Sequence, residues 1–327
     1  MKNKALYFFS TILFIIIFLS GPRLDTRYTI KPVEIPADAQ QYIQNSESRF
    51  SDIRPGTDKK IIWNNILSQD PTEYSIVYLH GFSASRQELV PVCDQLAKSL
   101  SANLFYTRLT GHGRTSDAMN EITANALLND AVEALEIGKR IGKKVILIGT
   151  STGGTLATWL ATQQNNEKIA ALVLLSPNYG LKRPESELLF YPWGLQVFHF
   201  IQGKEYQFSA VNPLQEKYWT TRYPSDALLG MFALIDIVRE SAVSDIKIPT
   251  LVLYSENDNV ASVDKIKSQF SKLTTPTRKM VSVAGSQDPQ HHILAGNVLS
   301  PDTTGKVLAI IQEFLSPVLG QDSSLAH

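Results

Sequence analysis

The sequence predicts an α/β protein with a mostly parallel central sheet, helices on both faces and an inserted cap. Three observations carry that reading. Apolar runs such as Ile169 to Leu175 (IAALVLL) and Thr250 to Tyr254 (TLVLY) lack the alternation of a half-exposed strand, as expected for strands buried on both faces. Helical patterns lie between the runs, and strands alternating with helices assemble as a parallel sheet. Between Pro177 and Asp245 the alternation stops. That stretch holds Phe190, Tyr191, Trp193, Phe198, Phe200, Tyr206, Phe208, Tyr218, Trp219, Tyr223 and Phe232, a density of aromatics that fits a cap over the sheet edge.

The chain has 327 residues, enough for one large α/β domain or two small ones, and 43% of them are apolar. Lys plus Arg and Asp plus Glu both number 31, without blocks of one sign, which gives no reason to expect a nucleic acid partner. Cys93 is the only cysteine, so an intramolecular disulfide and a cysteine metal cluster are both excluded. Its apolar spacing in a helical segment reads as a core position.

Taken in order, residues 1–20 read as a signal peptide or membrane anchor. Met1-Lys2-Asn3-Lys4 is basic, and Ala5 to Leu19 is apolar apart from Ser10 and Thr11. At about 1.5 Å per residue this run spans roughly 22 Å as a helix, short of a hydrocarbon core of ~30 Å. The length suits an export signal, with the protein placed outside the cytoplasm, secreted or membrane-anchored. Phe18-Leu19-Ser20-Gly21 is a poor small-x-small cleavage site, so cleaved and uncleaved forms both stay open. No cysteine follows the run to take a lipid.

Residues 21–58 are polar and proline-punctuated, a stalk or N-terminal extension with a helix over 37–50. The main domain is expected over 59–318, with the cap at about 177–245 and a tail at 319–327. Tyr74 to Leu79 predicts a strand ending in His80-Gly81-Phe82-Ser83. A helix follows, with Ser85 and Glu88 at capping-box spacing and Leu89, Val92, Leu96 and Leu100 on one face. Pro91 fits only its first turn, so the helix begins between Ser85 and Pro91. Asn103 to Tyr106 is the next strand, leading into Thr110-Gly111-His112-Gly113, and 123–141 is amphipathic with Leu127, Leu128, Ala131, Leu135 and Ile141 inward. Later come the runs already named, a shorter strand at Met280 to Val283 and a closing helix over 304–314.

The stretch with the clearest chemistry is Lys143 to Thr162, KKVILIGTSTGGTLATWLAT. A buried strand over Val145 to Ile148 runs through Gly149-Thr150-Ser151-Thr152-Gly153 into a helix beginning near Gly154. In that setting G-x-S-x-G reads as a nucleophile elbow, a tight turn that exposes the serine oxygen above the sheet. Gly149 and Gly153 suit places where a Cβ would collide as the chain doubles back. A serine needs a base, and the base needs a group to orient it. After Thr250 to Tyr254 comes Ser255-Glu256-Asn257-Asp258, with Asp258 the natural acid. After the last strand comes Asp288-Pro289-Gln290-His291-His292. The order Ser, Asp, His is that of an elbow-type triad at the C-terminal ends of parallel strands.

On these residues the chain resembles serine hydrolases of the α/β-hydrolase superfamily over about 59–318. His80-Gly81-Phe82, Gly111-His112-Gly113, the elbow and the Tyr254 to Val260 loop resemble the branch of monoacylglycerol lipases, carboxylesterases and serine aminopeptidase-like enzymes. The resemblance implies Ser151 as nucleophile, Asp258 as acid, His292 as base, and the backbone amides of Phe82 and Thr152 as oxyanion hole. The doubled histidine and the extra acid Asp288 depart from the family pattern. His292 is favoured over His291 because Ile293-Leu294-Ala295-Gly296 would pack behind it, and because the family pattern favours it. Asp288 and Glu256 are the alternative acids.

The remaining histidines read as structural, with His80 and His112 shaping their turns and His199 packed among cap aromatics. No metal or cofactor is expected, since the paired histidines diverge and the glycine loops lack a dinucleotide fingerprint. The aromatics of the cap read equally as its own core or as the lining of an acyl pocket. The expected activity is cleavage of a small-molecule carboxylic ester with an acyl chain through an acyl-serine, in association with a membrane. An aminopeptidase or amidase is the alternative, with Glu185, Glu187, Glu205 or Glu216 receiving the amine. A non-catalytic membrane-associated binding domain is the third reading.

Overall fold

The computed structural model describes residues 2–164 and 166–320, so the expected tail lies outside the described residues from 321 onward. The N-terminal part contains α1 (Lys2–Leu19), α2 (Ala39–Glu47), β1 (Lys60–Ile62), β2 (Thr72–Leu79), α3 (Val92–Ser99), β3 (Asn103–Tyr106) and α4 (Ala124–Ile141). The middle contains β4 (Gly142–Thr150), α5 (Thr152–Thr162), β5 (Ile169–Leu175), α6 (Gly194–Gln202), β6 (Glu205–Gln207), α7 (Pro213–Tyr218) and β7 (Arg222–Pro224). It closes with α8 (Ala227–Arg239), β8 (Thr250–Tyr254), α9 (Val263–Lys272), β9 (Arg278–Ser282) and α10 (Thr304–Val318).

Seven strands form one sheet in the order β1-β3-β2-β4-β5-β8-β9. Only β1, at the edge, runs antiparallel; the pairs β2–β3, β2–β4, β4–β5, β5–β8 and β8–β9 are parallel. The apolar runs become strands because both faces are covered, and side chains alternate between the faces. Val77, Leu79, Val145 and Leu147 point into a core with Leu127 and Ala131 of α4, Leu156 of α5 and Leu234 of α8. Ile76, Tyr78, Ile146 and Ile148 point the other way, onto Val92 and Leu96 of α3 and Val307 and Ile311 of α10. The Thr123 hydroxyl accepts from the Ala126 amide at 3.0 Å and starts α4. The helix after the elbow begins at Thr152, two residues before Gly154, because Gly153 and Gly154 are packed inside its first turn.

Residues 24–47 lie along the body. Leu24, Ala39 and Ile43 are buried, Tyr28 meets Trp159 edge-on at 5.9 Å, and the Thr29 and Lys31 amides donate to the Asn125 and Asn129 side chains at 2.8 and 2.9 Å. Within the interruption of the alternation, α8 behaves differently from its neighbours. Ten of its thirteen residues are buried, and it packs on α4 and α5 as part of the helical layer. The elements that depart from the layer are therefore those between Pro184 and Pro224, including the small antiparallel pair β6–β7. Their aromatics largely pack on one another and on α8: Phe190 and Phe198 meet Phe232 at 5.9 and 6.5 Å, and Tyr206 stacks on Tyr223 at 5.3 Å. His199 is half exposed, not enclosed by them, and its Nε2 lies 2.9 Å from Asp226. The Trp193 indole donates to the carbonyls of Ile17 and Phe18 at the end of α1, both at 3.1 Å. Among the described residues no helix is long and apolar enough to cross a membrane.

The glycines divide sharply by position. A Cβ on Gly153 would overlap the Leu79 carbonyl, which is backbone and cannot turn aside, whereas Gly305 in α10 has open space. Gly153→Ala should lower stability by about 1–3 kcal/mol or more, and Gly305→Ala should raise it by about 0.4–1 kcal/mol. Urea midpoints of the two variants against the parent chain check the contrast.

Candidate active site

The site assembles where β2, β4, β5, β8 and β9 end on one side of the sheet. Ser151 sits between β4 and α5 at φ 53° and ψ −117°, a conformation costing a non-glycine residue about 1–3 kcal/mol. Its neighbours hold it there. The Ser151 amide donates to the Leu175 carbonyl at 2.9 Å, and its own carbonyl accepts from the amides of Thr155 and Asn178, both at 3.1 Å. A Cβ on Gly149 would overlap the Gly153 carbonyl, so the turn closes only with glycine at both places. Ser151 remains 6% exposed.

Asp258 follows β8 in a turn that fixes its carboxylate. Oδ1 accepts from the Val260 and Ala261 amides at 2.8 and 2.9 Å, leaving Oδ2 to His292 Nδ1 at 2.8 Å. With Nδ1 assigned to the carboxylate, Nε2 is the free nitrogen of a neutral ring. The His292 carbonyl accepts from the Ser176 hydroxyl at 2.7 Å, which ties the histidine loop to the end of β5, the strand beside β4. Burial works against a charge on His292, but the charge and hydrogen bond of Asp258, with Asp288 and Glu88, outweigh it and raise the imidazole above its ordinary value.

The alternatives have other partners. The Asp288 carboxylate is spent on backbone amides, accepting from Gln290 at 3.1 Å, His292 at 3.0 Å and Ile293 at 2.9 Å, so it shapes the loop that carries His292. His291 has φ 51°, and its amide donates to the Asp288 carbonyl at 2.8 Å. Glu256 binds Tyr254 and Lys267 at the surface.

The loop after β2 approaches the elbow closely. A Cβ built on Gly81 would lie 3.3 Å from Ser151 Cβ. Among the described residues the Phe82 amide has no protein acceptor, and the Thr152 amide, first in α5, has none within its helix. The Thr152 hydroxyl is buried without a hydrogen bond. His80 and His112 form the floor under Phe82. The Leu109 amide donates to His80 Nε2 at 3.1 Å, His80 Nδ1 donates to the Gly81 carbonyl at 2.9 Å, and His112 Nδ1 donates to the Thr110 carbonyl at 2.9 Å. Burial without a counter-charge pushes His80 well down and His112 to about 4, so both rings stay neutral.

Two features of the site escape a reading from sequence. Glu88 is not the partner of a capping box. Ser85 caps a short turn over Arg86–Glu88, while the Glu88 carboxylate turns inward to the Gly81 amide at 2.8 Å and the Tyr78 hydroxyl at 2.7 Å. The cap also reaches the Phe82 loop directly: the Thr220 amide donates to the Ser83 carbonyl at 2.7 Å, and Tyr223 meets the Phe82 ring at 5.6 Å. Neither contact follows from any local spacing in the sequence.

A mostly parallel seven-stranded sheet flanked by helices, with a strained serine turn and a buried His292–Asp258 pair at one edge, is the architecture of the α/β-hydrolase class. The family model described as the alpha/beta hydrolase family matches residues 76–294, and the chain belongs to that family. Solved structures share the fold at low identity. One, described with the metagenome-derived lipolytic enzymes LipS and LipT, has a TM-score of 0.66 and 18% identity, covering 81% of this chain and 99% of its own. A monoacylglycerol lipase from Paleococcus ferrophilus has a TM-score of 0.58 and 16% identity, with coverages of 80% and 98%. A soluble variant of monoglyceride lipase from Saccharomyces cerevisiae, solved with a substrate analog, has a TM-score of 0.60 and 12% identity, with coverages of 80% and 91%. No curated protein sequence matches the chain.

The His292 environment can be measured without substrate. NMR titration should give its imidazole a pKa above the ordinary value of about 6.5. Asp258→Asn should lower that pKa, since the carboxylate that contributes most against burial is then gone. In linkage terms the His292–Asp258 pair stabilises the folded chain fully below the unfolded histidine pKa, and that contribution is lost as pH rises through the folded one. A His292 pKa unchanged in Asp258→Asn would contradict the pairing.

Proposed function

We propose that the protein is a serine hydrolase that cleaves carboxylic esters with an apolar acyl part. The observation that carries this reading is the buried Asp258–His292 hydrogen bond, standing at the same sheet edge as the strained Ser151. In the proposed reaction His292 Nε2 takes the Ser151 hydroxyl proton as the oxygen attacks the ester carbonyl. The amides of Phe82 and Thr152 receive the oxyanion. His292 then protonates the leaving alcohol, and water repeats the sequence in reverse to free the acid. Asp258 holds the tautomer and balances the imidazolium.

Support for an apolar substrate comes from the surroundings of the loops. Trp219 from the cap clusters with Ala84, beside the Phe82 loop, and with Ile293, next to His292. The lipase neighbours are consistent with this at the level of fold. No observation favours an amine-binding reading: Glu187 is already paired with Arg239 and Lys265, and Glu205 with Arg222, while Glu185 and Glu216 face solvent. We further propose that the basic start and α1 direct the chain out of the cytoplasm. Ile12 to Leu19 present apolar side chains to the surroundings, in keeping with a segment that meets lipid.

Ser151→Ala should abolish hydrolysis of short-chain nitrophenyl esters and labelling by a fluorophosphonate probe, with the melting temperature retained. Asp258→Asn should cut the rate by about four orders of magnitude. A Ser151→Ala protein that still turns over the ester would refute the assignment. For the localisation, fractionation of cells producing the full chain should recover it outside the cytoplasm, and recovery in the soluble cytoplasmic fraction would reject that part.

A further inference from the structure

Glu88 is a buried carboxylate that the reaction above leaves without a role. It is 1% exposed, and no cation pairs with it among the described residues. Its Oε2 accepts from the Gly81 amide at 2.8 Å and from the Tyr78 hydroxyl at 2.7 Å. Tyr78 in turn lies 3.0 Å from the Thr150 hydroxyl, one residue before Ser151. With the tyrosine proton directed to the carboxylate, the threonine donates to the tyrosine, and a single chain runs from the elbow to the Phe82 loop. Oε1 lies 2.7 Å from the place a Gly81 Cβ would occupy, a place itself 3.3 Å from Ser151 Cβ. Behind Glu88, its own carbonyl packs against Gly296, the end of the apolar stretch that follows His292.

We propose that Glu88 is a positioning residue of the active site, whose carboxylate fixes the Gly81–Phe82 loop against the elbow and, when ionised, supports positive charge on His292. The inference rests on the roles given above to Ser151 and His292. Gly81 precedes the amide assigned to the oxyanion, and among the described residues its own amide is anchored by Glu88 alone. A loop held through a carboxylate on one side and the His80 ring on the other has little freedom to move the Phe82 amide. Tyr78 from β2 touches the Glu88 carboxylate directly, and the charges of His292 and Asp288, from the loop after β9, act on it. Of these, His292 is the one that becomes a cation in the reaction. Burial pushes the Glu88 carboxyl up to about 7, while Tyr78, the Gly81 amide and His292 pull it down and Asp288 adds to the rise. The carboxyl thus changes charge in the range where His292 must act, and it favours the imidazolium only in its ionised form.

The test uses the full chain and three proteins: the parent, Glu88→Gln and Tyr78→Phe. Glu88→Gln keeps size and an acceptor for the Gly81 amide but never ionises. In the parent, kcat/KM for a short-chain nitrophenyl ester should fall with falling pH through two ionisations, and in Glu88→Gln through one, with kcat reduced roughly tenfold and KM within about threefold. That loss is smaller than the 10²–10³ typical of removing an oxyanion donor itself. Tyr78→Phe, which removes a donor that favours the carboxylate, should move the ionisation that Glu88→Gln removes to higher pH without abolishing it. Matching pH profiles and kcat in the parent and Glu88→Gln would overturn the proposal, as would an unshifted profile in Tyr78→Phe, which decides alone should Glu88→Gln fail to fold. Fluorophosphonate labelling of Ser151 in all three separates the outcomes: a parent that does not label sinks the hydrolase reading, whereas labelled variants with unaltered profiles sink only the role of Glu88.

Discussion

The backbone of Ser151 is the constraint on which the rest of the edge depends. A positive φ at serine is unfavourable by itself, and it persists because hydrogen bonds from three directions over-determine it. Leu175 belongs to β5, Asn178 to the loop beyond it, and Thr155 to the helix that the turn begins. The carbonyl of Leu79, at the end of β2, fills the space where a side chain at position 153 would be. The ladders of β2, β4 and β5 thus enclose the turn at Ser151 on both sides. Once those strands are spaced, the loops after them have fixed starting points, and the amides of Phe82 and Thr152 are brought to the serine by the sheet, not by their own sequence.

Charge in the site is distributed by partner and not by residue type. His80, His112 and His292 are all buried, yet the first two are held neutral and the third is raised. The difference is a carboxylate: His292 has Asp258 on Nδ1, while the nearest ring to His80 is His112, at 5.1 Å between centroids. The two acids beside His292 are likewise distinguished by what already occupies their oxygens. Asp258 keeps one oxygen for the ring, and Asp288 gives both to backbone amides. Packing of the backbone, by deciding which oxygens are free, determines which acid serves the histidine.

Much of this was visible in the chain itself. The buried strands announce themselves as unbroken apolar runs, because a strand covered on both faces needs no polar side. The loops bearing Ser151, Asp258 and His292 follow such strands, so a parallel sheet places all three at one edge. What stayed hidden depends on contacts between distant segments. α8 reads as part of the cap because it follows a long irregular stretch, but its residues are apolar nearly all round, and such a helix is covered on all sides. The polar segment around Tyr28 docks through backbone amides that meet Asn125 and Asn129, a pairing no local pattern encodes. Glu88 sits at the spacing of a helix cap, and only the fold shows that burial has turned its carboxylate toward Gly81.

The cap and the sheet edge that bears Ser151 are stabilised by different means. The sheet and its layers share two extensive apolar cores, so a change at the elbow is felt throughout the body. The elements from Pro184 to Pro224 are short, and Phe200 among them is 91% exposed. Their polar ties to the body run to several elements: Glu187 pairs with Arg239 and Lys265, the Asn212 side chain donates to the Val298 carbonyl, and the Ser116 hydroxyl donates to the Arg222 carbonyl. Thr220 bonds to Ser83, and Arg54 from the N-terminal extension donates to the Trp219 carbonyl and the Thr220 hydroxyl at 2.8 and 2.9 Å. An exposed residue between those ties, such as Phe200, belongs to neither apolar core. One of these ties, from Thr220 to Ser83, lands on the Phe82 loop and couples that loop to the cap. The outer surface of the cap is therefore free to vary, whereas its inner seam at Trp219 and Thr220 is held against Ser83 and Arg54.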